Sequence, residues 1–260
     1  MKCTDEELLK ISKDSAYHDL GTLPSMGIPY GDKNFKLYIK AFQWKELKLL
    51  SKAVELNEMS HLLRAVDNVI SVPVDILSIG DFFYVLLWLR LHSMPKSPYV
   101  VEWKCEQPYF THKETKKPLL YTDDNWPSVE DLRREYNVEK CDTENTSIVH
   151  MTDTEVLTLP EGLVLPSDFD FPRMSCYVER AEDLKDPEMA LLAPGIQWIR
   201  GTTWADKIER AEANPDLLGE ALDINRRVVH GISETAQFNC HRCRITHSTK
   251  LELNALSFFQ

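Results

Sequence analysis

Much that would announce a function is missing from this chain. No apolar run is long enough to cross a bilayer. The most apolar window, ILSIGDFFYVLLWLRL, is interrupted by Asp81 and Arg90 and falls short of the roughly 20 residues a spanning helix needs. The opening MKCTDEELLK is acidic where a secretory leader would be basic and then apolar. Cations are in deficit, with 30 Lys and Arg against 41 Asp and Glu and a net charge of -11. That weighs against a broad nucleic-acid surface, which needs clustered Lys and Arg. There is no Gly-rich phosphate loop and no Ser, His and Asp order around a Gly-flanked nucleophile, and the eight histidines are scattered. Catalysis is therefore not expected. Neither an internal repeat nor a low-complexity tract is visible. Six cysteines in 260 residues are too sparse for a disulfide scaffold. The expectation is a cytosolic product with reduced thiols, in which any thiols that pair do so on a metal.

What is present suits a sizeable core, with 43% apolar and 27% charged residues. Residues 1–34 read as an extended N-terminal arm, with a short acidic helix near Thr4–Ser12 followed by the Gly- and Pro-containing LGTLPSMGIPYG. In KNFKLYIKAF, Phe35, Leu37 and Ile39 alternate with polar residues, a half-buried strand pattern. The period then changes to helical over roughly Gln43 to Leu56, and a second helix is predicted from an N-cap at Ser60. Ser78 caps a third helix, Ile79 to about Ser93, apolar nearly all round and so expected to be central to a core or covered by a partner. A strand, YVVEWKC, follows and delivers Cys105. A polar stretch leads to a short helix near Val129–Tyr136, then Cys141 and the strand candidates SIVHM and EVLTLP. The many Pro and Asp of residues 161–195 read as an extended wrap, and WADKIERAEANPDLLGEALDINRRVV as helix broken near Asn214–Pro215. The closing ETAQFNC and KLELNALSFF read as a hairpin. Trp103, Trp126, Trp198 and Trp204 are candidate interface anchors as well as candidate core residues.

At the tip of that hairpin stands Cys240-His-Arg-Cys243. Two residues between thiols let both sulfurs point at one ion, which is half of a tetrahedral zinc site. A redox Cys-x-x-Cys belongs at a strand-to-helix junction, whereas strands flank this one. Cys105 ends one strand and Cys141 precedes another, so the pair forms the second half if the 35 residues between them are an insertion at the tip of a knuckle. The alternatives are a mixed site completed by His112, His150, His241 or His247, or plain buried thiols at Cys105 and Cys141. Cys3 and Cys176 read as bystanders. A site with four protein ligands has no open position for water or substrate, so the ion, structural Zn2+, would act as a staple closing a long loop.

Several stretches occur in a particular order: Leu23-Pro24-Ser25, Glu46-Leu47-Lys48-Leu49-Leu50, Asp81 in the central helix, Leu89-Arg90 with Ser93, His230-Gly231, and a terminal Phe258-Phe259. This order resembles the baseplate hub and hub-assembly protein family of T4-like contractile-tailed phages. The resemblance spans roughly residues 20–105 and 225–260, while the middle departs from it and lacks a compact first Cys-x-x-Cys, of which Cys105 and Cys141 would be the split remnant. It implies a virion component of the tail baseplate, made in the host cytoplasm, whose partners are other hub or wedge proteins and not nucleic acid, membrane or a small molecule. An assembly chaperone that leaves the particle is the alternative, and a zinc-ribbon nucleic-acid adaptor a more distant one. The fold class expected is α+β, a small helical module joined to a split zinc ribbon of antiparallel hairpins. The expected divisions are 1–34 (arm), 35–97 (helical module), 98–155 (first ribbon half with insertion), 156–232 (wrap and helical segment) and 233–260 (second ribbon half).

Overall fold

In the computed structural model, residues 16–119, 127–179, 185–251 and 254–259 are described. They fold as a mixed α+β protein with eight α-helices and small antiparallel sheets. Two units are distinguished. The first takes the chain up to Ser97, Val156–Ser233 and the C-terminal residues; the second takes Pro98–Glu155 and Glu234–Glu252.

The first unit does not begin with a free arm over its described part. Leu23, Pro24 and Ser25 are buried, and Asp81 holds them there. The Asp81 carboxylate, with no exposed surface, accepts hydrogen bonds from Ser25 N (3.0 Å), Ser25 Oγ (2.5 Å) and Tyr30 Oη (2.6 Å). The predicted acidic helix near Thr4–Ser12 lies outside the described residues, as does Cys3. Gly27 makes the turn possible, because at its φ of 72° a Cβ would sit 2.1 Å from Asp32 O. Strand β1 (His18–Asp19) pairs antiparallel with β2 (Tyr38–Ile39). β2 is shorter than the alternation predicts because the backbone bonds around it go elsewhere: Lys40 N donates to Val69 O and Ser71 N to Tyr38 O. The alternation still reports burial, with Leu37 and Ile39 wholly inside.

Helix α1 (Trp44–Leu56) starts where Glu46 Oε2 accepts from Gln43 N, and ends at Asn57, whose φ of 54° is left-handed. Helix α2 (Met59–Asp67) begins straight after Glu58, so Ser60 lies inside the helix instead of capping it. Helix α3 (Ile79–Ser93) is capped by Ser78 Oγ, which accepts from Asp81 N. Phe82, Val85, Leu86 and Leu89 on it have no exposed surface, as apolarity on every face requires. The last described residues return to this unit instead of continuing a hairpin. Phe258 and Phe259 sit in a short 3-10 helix, with Phe258 6.0 Å from the Phe83 ring and Phe259 5.8 Å from that of Phe42.

Residues 161–195 are not simply an extended wrap. They contain α5 (Met174–Glu179) and α6 (Pro187–Ile196). Pro187 occupies the first turn of α6, where its missing N–H costs nothing, and Asp186 Oδ1 accepts from Glu188 N. Prolines read as breakers are thus partly helix starters. Helices α7 (Trp204–Ala213) and α8 (Pro215–Arg227) are separated at Asn214, as predicted. Around them lies a core cluster that includes Phe169, Trp198, Ile199, Trp204, Ala221 and Ile224. Trp198 and Trp204 are therefore core residues and not exposed anchors; Trp198 Nε1 donates to Asn225 Oδ1 at 2.9 Å. Trp126 lies outside the described residues.

In the second unit β3 (Val100–Cys105) pairs with β6 (Thr143–Ile148), and β4 (Pro108–His112) with β5 (Tyr136–Lys140), both antiparallel. Helix α4 (Val129–Glu135) precedes β5 directly, capped by Ser128. A three-stranded sheet runs in the order β7 (Thr154–Leu157), β8 (Gly231–Asn239), β9 (Thr246–Lys250), of which Thr154–Glu155, Glu234–Asn239 and β9 belong to this unit. The predicted strand SIVHM starts earlier, at Thr143, and β9 takes in only Lys250 of the predicted KLELNALSFF strand, of which residues 252 and 253 lie outside the described residues.

Candidate metal centre

Each cysteine of the candidate site stands where a strand ends or begins. Cys105 closes β3, opposite Thr143 in the register with β6. Cys141 precedes β6, and its amide donates to Gln107 O at 2.9 Å, turning the chain back between the β4–β5 pair and the β3–β6 pair. Cys240 follows β8. Its amide donates to Ile245 O (3.0 Å) and its carbonyl accepts from Arg244 N (2.9 Å), closing a tight turn. The turn requires a left-handed φ of 62° at Arg244. Cys243 lies within it, its amide donating to the Cys240 sulfur.

These turns bring together residues far apart in sequence. All four thiols are buried, with at most 1% of any cysteine exposed. Cys105 Sγ is 3.6 Å from Cys243 Sγ, Cys141 Sγ is 3.7 Å from Cys240 Sγ, and all four sulfurs lie within 4.8 Å of one another. No pair is at the roughly 2.0 Å of a disulfide. Such a cluster can bind a metal ion, and among the described residues it is the group of His, Cys, Asp and Glu side chains gathered closely enough to do so.

The electrostatics divide the four. Burial opposes ionisation of Cys240, but the amides of Cys243 and Arg242, with the Cys243 and Cys141 thiols, outweigh it and lower its pKa to about 7. Burial pushes the Cys105 thiol well up, and Cys243 upward as well. The Cys-x-x-Cys turn thus offers a thiolate near neutral pH, while the cysteine contributed by β3 needs a cation to draw off its proton.

Of the histidines weighed as ligands, none belongs to the cluster. His112 Nδ1 accepts from Glu114 N and Thr115 N in a turn, and exposed His150 closes a turn with Asp153. His241 Nδ1 lies 2.7 Å from Asn145 Oδ1. His247 comes nearest, with Nε2 3.1 Å from Cys105 Sγ. Cys176 is buried in the first unit's core. The supporting groups are those that sequence reasoning misses. Asn145, 6% exposed, accepts from His241 N and donates to Thr143 O, linking the two pairs of cysteines. Arg242 Nη2 donates to Tyr109 Oη (2.5 Å), which donates to Glu139 Oε2 (2.7 Å). A buried-side position for Asn145 in the alternating β6 was the one available signal.

No family model, curated protein or solved structure matches this chain.

Proposed function

We propose that Cys105, Cys141, Cys240 and Cys243 hold one Zn2+ as a structural ion, that the second unit is a zinc ribbon split by the insertion of residues 106–140, and that the chain serves as a non-catalytic scaffold for other proteins. The observation that carries this is the sulfur spacing. Zinc at about 2.3 Å from each of four thiolates in a tetrahedron requires sulfurs roughly 3.8 Å apart. The separations of 3.6 and 3.7 Å across the two cysteine pairs fit that figure. Four buried soft donors favour zinc over hard cations, and four protein ligands leave no coordination position for substrate. When bound, the ion supplies a cross-link and no reaction.

The setting that the sequence resemblance supports is the tail baseplate of a contractile-tailed phage, with hub or wedge proteins as partners. Nucleic-acid binding is disfavoured by the net charge and by the side chains around the basic turn. Arg242 is engaged with Tyr109 and Glu139, and Lys250 lies 3.6 Å from Glu234. Two measurements test the proposal. Elemental analysis of the purified chain should find one zinc per molecule, and a metal-free native protein overturns the zinc reading. Quantitative mass spectrometry of purified particles should find the chain at fixed stoichiometry with baseplate proteins. Its absence from particles but presence in assembly intermediates would favour the chaperone role.

A further inference from the structure

We infer that His247, outside the set of four sulfur ligands, donates a hydrogen bond from Nε2 to the Cys105 thiolate and so governs how tightly the centre retains its ion. The inference rests on the zinc reading above. His247 lies in β9 opposite Phe238, and its Nε2 is 3.1 Å from a sulfur 142 residues away in sequence. The imidazole is held from the side, its ring 4.7 Å from that of Trp103, whose own Nε1 donates to Ser147 Oγ at 3.0 Å. A ring fixed between an indole and a sulfur presents its Nε2 in one direction.

The chemistry of the donor set gives this contact its role. Four thiolates on a divalent cation leave the centre with a net double negative charge inside a buried site. N–H donors aimed at sulfur offset that charge and fix ligand orientation. At Cys240 the knuckle supplies amides for this purpose. At Cys105 the Gln107 amide is one donor, and the imidazole is a second. With sulfur filling all four positions, the imidazole would remain outside the coordination sphere, where an Nε2–H tautomer donates to sulfur. His247 is thus a positioning residue for the centre.

The test compares the full-length zinc-loaded protein with H247F and H247Q. Phenylalanine keeps a ring against Trp103 and removes the donor, whereas glutamine places an N–H at similar reach. The readouts are zinc affinity by chelator competition and the iodoacetamide alkylation rate at Cys105 by peptide mass spectrometry. Loss of an outer partner typically weakens metal binding about 10–100-fold, so H247F should lose that much and alkylate several-fold faster at Cys105, with H247Q within about threefold of the parent on both. If H247F matches the parent, or if both variants weaken alike, packing and not the hydrogen bond is at work and the inference is overturned. If the parent protein itself binds no stoichiometric zinc, the fault lies with the zinc reading beneath it.

Discussion

The two units reach stability by different means. The first buries long aliphatic and aromatic side chains: α3 alone places Phe82, Val85, Leu86 and Leu89 fully inside, and a cluster around Trp198 organises α6, α7 and α8. The second has strands whose residues are largely exposed, and four cysteines with Tyr109 form a buried cluster in it, partly covered by Trp103 and Ile245, while Leu132, Val149 and Phe238 are its other large buried apolar side chains besides Leu119 and Leu251. Apolar burial contributes about 25 cal/mol per Å2, and small thiols contribute little of it. Where four thiols are buried together, the metal cross-link proposed above would supply part of what hydrophobic area does not. A stretch with little apolar density can still be folded if its few soft donors converge.

The sharpest way to break this contrast is to remove the zinc proposed for the cysteine cluster. Structural zinc contributes apparent binding energies of about 10–16 kcal/mol in small domains, so chelation, or Cys240→Ser, should abolish hydrogen-exchange protection in β3–β6 and β8–β9 while leaving α3 protected. Equal loss in both units would end the contrast. The reciprocal experiment acts on the first unit. Asp81→Ala strands the two buried donors of Ser25 and the partly buried Tyr30 hydroxyl, each buried one costing about 1–3 kcal/mol, and should destabilise that unit by roughly 3–5 kcal/mol in chemical denaturation. Leu86→Ala should cost about 2–5 kcal/mol through its cavity, without changing the zinc content.

A smaller effect separates the units by pH. Burial lowers the pKa of His230 below its ordinary value, against the opposing pull of Asp81, and the ring sits edge-on to Phe171 and Trp198. The folded form therefore binds fewer protons than the unfolded chain. Its contribution is fully present above the ordinary value of about 6.5 and is lost as the pH falls below it toward the folded pKa. Melting of the first unit should fall on acidification from pH 7 to 5, and His230→Phe should flatten that slope. Smallest of all, Val138→Ala in the second unit and Trp44→Ala in the first, at positions 65% and 72% exposed, should each shift stability by no more than about 0.5 kcal/mol.

Helical period made α1, α3, α7 and α8 legible, with Ser78 marking the start of α3 and the break near Asn214–Pro215 dividing α7 from α8. The knuckle at Cys240 and Cys243 was legible for the same reason, being a local spacing. Cys105 and Cys141 could only be inferred, since their approach depends on the β3–β6 register and not on adjacency. Local rules failed where long-range bonds decide. Ser25 and Tyr30 are drawn inward by a carboxylate more than 50 residues away, so a Gly- and Pro-bearing stretch that reads as an arm is folded in. The Pro and Asp of 161–195 read as extended because the same residue types that break helices also begin them.

The spacing of the four cysteines also orders events in time. Cys240 follows Cys141 by 99 residues, and at the usual pace of translation, about 5–20 residues per second, that interval lasts roughly 5–20 s. Throughout it the earlier two thiols wait on the ribosome without their counterparts. The four sulfurs therefore cannot come together before Cys240 and Cys243 are made, and a chain released before Cys240 would hold Cys105 and Cys141 without their counterparts.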